Sequence, residues 1–233
     1  MMERDLVGYG GRPPQPRWPG GARVAVQFVL NVEEGGERTI LNGDGESESY
    51  LHELLGRSAR VGERDLSVEG MYEYGSRAGV WRILRLFRER GLPLTAFVVG
   101  RALELNPAVG EALVADGHEV AGHGYRWFDY RHMAEAEERE HIRRTVAVIE
   151  AVCGRRPVGW YTGRISLNTR RLVAEEGGFL YTADVYNDDL PYWLAGERPF
   201  LAIPYTLVNN DARYLMPNGF GTGDDFFNFL KGA

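Results

Sequence analysis

Short apolar runs alternate with longer stretches of helical period along most of this chain. Val24 to Leu30, "VAVQFVL", is nearly continuous in apolar and β-branched residues, which predicts a strand covered on both faces. "VWRILRLFRER", from Val80 to Arg90, places Val80, Ile83, Leu84 and Phe87 on one helical face, with Gly91 as the stop. "LTAFVVG" reads as the next buried strand. Pro107 then opens a helix that runs to Asp116. "HEVAGHG" predicts a short strand, followed by a long helix from Ala134 to Cys153. Its buried stripe is Ile142, Val146, Ile149 and Val152, and Gly154 ends it. "PVGWYTG" reads as a strand, "NTRRLVAEEGG" as a helix capped by Asn168, and "FLYTADV" and "FLAIPYT" as further strands.

Strand–helix alternation of this kind implies a parallel sheet with helices outside, as an open sheet or a barrel. Such folds gather their chemistry at the carboxyl ends of the strands. Glu33 and Glu34 fall there after the first strand, His123 after the third, Thr162 to Arg164 after the fourth, and Asp184 to Asp189 after the fifth. Residues 8–21, rich in Gly and Pro, form an irregular arm with Tyr9 and Trp18. Gly35 to Gly70 is a long polar stretch, and loops of that length inside a domain are usually functional.

Composition narrows the picture. With 233 residues and no evident linker, one domain spanning 1–233 is expected, with 1–21 as its arm. A formal charge of −6 without basic clusters argues against nucleic acid as a partner. Arg139, Arg143 and Arg144 lie among glutamates and read as a solvated helix face. Cys153 is the one cysteine, so it makes no internal disulfide; it reads as a packing residue. No apolar run approaches the length of a membrane span, and a cytoplasmic protein without membrane contact is expected.

Successive residues at a strand end point to opposite sides. One of Glu33 and Glu34 therefore faces the pocket as a general base, while the other orients it or binds substrate. His118 and Glu119 do not make a zinc-protease helix motif, because the second histidine is five positions on and the stretch reads as strand. His123 is followed at the fourth position by Trp127, whose indole offers no lone pair, so metal binding is not expected. His52 and His141 read as surface residues. Arg164 sits in a loop suited to holding a carbonyl or an anion; Arg170 and Arg171 read as solvated. Asp184, Asn187, Asp188 and Asp189 with Tyr192 and Trp193 suit a small polar heterocycle, or a turn rich in Asx caps.

The stretches "RDLVGYGGRPPQPRWPGGARVAVQFVLNVEEGGE", "EYGSRAGVWR", "GHEVAGHGYRW", "GWYTGR", "NTRRLV", "YNDDLPYW" and "PYTLVNNDARY" together resemble the polysaccharide deacetylase (NodB homology) superfamily. Within it the chain is most similar to the cofactor-independent allantoinases of purine breakdown. The resemblance implies a distorted, incomplete (β/α)7 barrel. The deacetylases keep two aspartates where Glu33 and Glu34 stand, and two metal-binding histidines where His123 and Trp127 stand. The allantoinase branch replaces these ligands and works without metal or other cofactor.

By that resemblance the chain opens the cyclic amide of allantoin, a small-molecule substrate, and forms a homo-oligomer. Glu33, Glu34 and His123 are then the catalytic residues, and Trp127, Tyr161, Arg164, Asp184 and Asp188 line the substrate. The rivals are a metal-dependent deacetylase of N-acetylated carbohydrate and a homologue that binds ligand without turnover. The family's chains continue into a further strand with a Leu-His motif, whereas this sequence stops at "DDFFNFLKGA" as a helix begins. The expectation is a shortened chain with an open barrel side and exposed apolar surface.

Overall fold

The computed structural model describes residues 4–54, 56–196 and 198–233; the first three residues of the expected arm lie outside these. Seven strands form one sheet: β1 Val29–Val32, β2 Thr95–Val98, β3 Glu119–Gly122, β4 Gly159–Trp160, β5 Tyr181–Thr182, β6 Tyr192–Leu194 and β7 Phe200–Ala202. Their order is β1-β2-β3-β4-β5-β7-β6, parallel throughout except for the antiparallel β6–β7 pair. The helices are α1 Leu66–Tyr74, α2 Val80–Arg90, α3 Gly100–Leu105, α4 Pro107–Ala115, α5 Glu135–Cys153, α6 Thr169–Glu176 and α7 Gly223–Gly232. The result is an α/β fold of the expected incomplete-barrel type: the sheet curves but does not close, and β1 and β6 are its edges.

Strand alternation sorts the sheet into two faces. Outward, Val32 and Val98 pack with Leu84, Leu103, Leu113 and Ile149 from the helices, while Trp160 packs with Ile142, Leu172 and Phe179. Each such buried side chain contributes about 1.5–3 kcal/mol relative to exposure. Gly122 is small because Trp160 lies on it: a Cβ there would come within 2.5 Å of the indole. Helix α2 matches its sequence pattern, and Gly91, at φ +61°, ends it while Leu92 donates back to the Phe87 carbonyl at 3.1 Å. Cys153 is buried against this core, and burial pushes its thiol pKa up.

Inward, Phe97, Ala121, Tyr161 and Ala183 form the middle layer. Below them Glu119 accepts from Thr95 Oγ1 at 2.8 Å and from the Tyr181 hydroxyl at 3.0 Å, so this inward carboxylate is satisfied at the floor.

Several expectations change. The first strand begins at Val29, not Val24, and Val24 and Val26 are 70% and 72% exposed. Among the described residues their segment pairs with no strand, so β-branched composition alone does not make it one. The polar stretch from Gly35 ends in helix α1, whose N-cap Asp65 accepts from Ser67 N. Helix α3 and strand β6 were not foreseen. Asn168 precedes α6 but makes no capping bond through its side chain. His52 and His141 are buried rather than surface residues: His52 lies against Arg57 and Asp65, and His141 Nδ1 meets the Tyr130 hydroxyl at 2.9 Å. Burial pushes the His141 pKa down to about 4, so its ring is neutral in the core. On the same helix Arg143 pairs with Glu140 in solvent, but Arg144 stacks on Tyr125 at 3.7 Å.

Candidate active site

The turn after β1 explains the spelling "EEGGE". Gly36 N donates to the Glu33 carbonyl at 2.8 Å, closing a tight turn. Cβ atoms on Gly35 and Gly36 would come within 2.5 Å of Leu105 and 2.4 Å of Val99, and Gly35 has φ +93°. Glu37 is buried, and its carboxylate accepts from Gly35 N at 2.6 Å. Arg126 then ties the loop down: it donates to the Gly36 and Glu37 carbonyls at 3.0 and 2.9 Å and to Asp44 at 2.6 Å.

The turn leaves Glu33 on the inner side and Glu34 on the outer. Glu33 Oε1 lies 3.0 Å from His123 Nε2. His123 Nδ1 lies 2.8 Å from the Tyr161 carbonyl oxygen. A carbonyl only accepts, so Nδ1 carries hydrogen and Nε2 is the atom turned toward Glu33. The imidazole is buried and stacked on the Tyr161 ring at 5.1 Å, and Tyr161 stacks in turn on Tyr205 at 4.3 Å.

Glu34 takes a different place from the one its neighbour occupies. Its carboxylate accepts from Glu33 N at 3.0 Å, and a Cβ on Gly75 would meet its Oε1 at 2.1 Å. It therefore packs against the π-helical turn Gly75–Gly79 between α1 and α2, on the helix side of the sheet. Burial pushes its pKa up to about 7, although the main-chain donors pull it down.

Arg164 lies over the Trp127 ring at 3.8 Å, and Tyr50 and Tyr72 meet the same ring edge-on at 5.5 and 6.1 Å. Trp127 and Arg164 border a cavity of about 280 Å³ shared with Arg38, Glu46, Glu48 and Asp129.

The structure uses the two aspartates elsewhere. Asp184 is fully buried, and both its oxygens accept main-chain N–H groups: Thr162 N at 2.9 Å and Gly163 N at 2.7 Å. Burial pushes its pKa up to about 6 against those donors. It holds the turn that sets the Tyr161 carbonyl and Arg164, and it offers no free oxygen to a ligand. Asp188 accepts from the Tyr9 hydroxyl at 2.8 Å and caps Leu190 N at 3.0 Å, fastening the arm instead of lining the cavity.

Among the described residues, no group of three or more His, Cys, Asp or Glu is arranged to hold a metal ion. Glu33 and His123 supply two donors and Trp127 supplies none. This donor set does not fit the divalent ion expected of metal-dependent deacetylases.

A parallel sheet with a carboxylate–imidazole pair at the carboxyl ends of its strands defines a hydrolase-like site, and comparison identifies its lineage. Residues 62–180 match the polysaccharide deacetylase family model. A Schizosaccharomyces pombe protein, provisionally named as a polysaccharide deacetylase, is 40% identical over 99% of this chain and 78% of its own length. The chain belongs to the polysaccharide deacetylase family. Among solved structures, PuuE allantoinase superposes with a TM-score of 0.95 at 56% identity, covering 100% of this chain and 78% of that one. A Pseudomonas aeruginosa PAO1 protein described as a "probable polysaccharide deacetylase" gives the same score and identity over 99% and 78%.

Proposed function

We propose that this chain hydrolyses allantoin to allantoate without a metal ion. The observation that carries the reading is the Glu33–His123 contact of 3.0 Å, with His123 fixed from behind by the Tyr161 carbonyl. The 56% identity to PuuE allantoinase supports the substrate. Water attacks the ring carbonyl carbon as Glu33 takes its proton. As the ring C–N bond breaks, Glu33 passes that proton across their contact to His123 Nε2, which delivers it to the departing nitrogen, and the new carboxylic acid ionises into solvent. Arg164, held on Trp127, positions the ureido or carbonyl oxygen, and Trp127 shields the reacting centre from bulk water.

Deacetylation of an N-acetylated sugar is the second reading, favoured by the names of the S. pombe and P. aeruginosa relatives. Both reactions are water attacks on an amide. One experiment separates them: the purified protein, treated with chelator, is supplied with allantoin or with an N-acetylglucosamine oligomer, and its metal content is measured on the same sample. Allantoate from chelated protein is expected. Release of acetate that stops on chelation would replace this reading with the second. Glu33→Gln is expected to lower kcat by at least about 100-fold, the usual contribution of a positioned base; full activity would end the assignment of Glu33.

A further inference from the structure

Tyr72 carries a polar atom that the fold leaves unused. It lies on α1 with 3% of its surface exposed, and its hydroxyl is buried with no hydrogen-bond partner among the described residues. A buried hydroxyl without a partner costs about 1–3 kcal/mol, and phenylalanine would keep the same ring packing without that cost. Packing against Trp127 therefore accounts for the ring and leaves the oxygen unexplained. The setting adjoins the site: the Trp127 ring that Tyr72 meets edge-on also carries Arg164, and the charges of Glu48, Glu33 and Arg164 act on the phenol. Burial, and then the charges of Glu48, Glu33 and Glu37, push the ionisation of Tyr72 up, so the phenol keeps its proton and remains a donor.

We propose that the Tyr72 hydroxyl is a substrate-binding group that donates its hydrogen to the oxygen of the carbonyl under attack. The inference rests on the ring-opening reading above and adds to it a neutral donor. Negative charge grows on that oxygen as water adds, so the bond strengthens toward the transition state and acts mainly on kcat. Arg164 supplies a charged donor from the Trp127 face, and Tyr72 supplies one that is not exchanged with solvent.

The test is Tyr72→Phe in the full chain, with steady-state allantoin hydrolysis, thermal melting and calorimetric binding of hydantoin measured together. The expected result is a melting temperature equal to or above wild type, with kcat/KM reduced about 100-fold and most of the loss in kcat. A variant with wild-type kcat/KM overturns the proposal while leaving the ring-opening reading intact. A lower melting temperature also overturns it, because the hydroxyl then has a partner in the folded chain. Wild-type protein that neither hydrolyses allantoin nor binds hydantoin rejects the ring-opening reading, and the Tyr72 assignment falls with it.

Discussion

Glu34 makes stability depend on pH in a way that one substitution exposes. Its carboxyl is confined between the Glu33 amide and the Gly75 backbone, and burial lifts its pKa from 4.5 to about 7. A folded-state pKa above the unfolded one means that the protonated form is favoured by folding. The associated stability is fully present below the unfolded pKa and is lost as pH rises through about 7. A rise of that size corresponds to about 3 kcal/mol, at roughly 1.4 kcal/mol per factor of ten. Glu34→Gln cannot ionise, and its amide oxygen can still accept from Glu33 N. The variant should match wild type at pH 4.5 and exceed it at pH 8.5. For a chain of this size, about 3 kcal/mol is on the order of 6–12 °C in melting temperature. The assay is thermal unfolding of both proteins from pH 4.5 to 8.5, read as the difference at each pH. Curves that stay parallel over the whole range would refute the argument that burial dominates at Glu34.

Three further outcomes follow from the packing. Gly122→Ala puts a methyl into the rigid Trp160 indole at 2.5 Å, where no flexible tip can yield; a loss of about 1–3 kcal/mol in denaturant unfolding is expected. Arg126→Lys keeps the charge but loses the fork that holds the Gly36 and Glu37 carbonyls and Asp44. It should cost about 2 kcal/mol, and limited proteolysis should cut first between residues 36 and 44. Glu138, fully buried, accepts from Ser166 ahead of α6 and from Thr169, the first residue of that helix. Glu138→Ala strands both hydroxyls and should lower stability by about 2–5 kcal/mol, with Glu138→Gln recovering part of it.

The frame of the fold was legible because both faces of a parallel sheet are apolar, and α2 and α5 carry clear helical stripes. Glu33 and His123 were legible from their place at strand ends. Which glutamate faces the pocket was not, since that depends on the turn that Gly35 and Gly36 permit against Val99 and Leu105. Asp184 read as a ligand group because nothing in "TADVYNDD" shows that main-chain amides 22 positions earlier take both its oxygens. His52 and His141 look polar in sequence, and what lets them be buried is the local packing that brings Leu54 N, Arg57 and Asp65 to His52 and the Tyr130 hydroxyl to His141, which no periodicity reveals. Tyr72 was missed because its helix follows directly on a long polar stretch. The spacing of Val68 and Tyr72, both buried on one face of α1, was the available signal.

The bond from His123 Nδ1 to the Tyr161 carbonyl has a consequence for how this site can change over evolutionary time. The acceptor belongs to the main chain, so any residue at position 161 supplies it while the strands keep their register. The tautomer of the reactive imidazole is thus inherited with the fold and not with a side chain. A lineage could replace the tyrosine, reshape the pocket around a new substrate and still keep an imidazole aimed the same way.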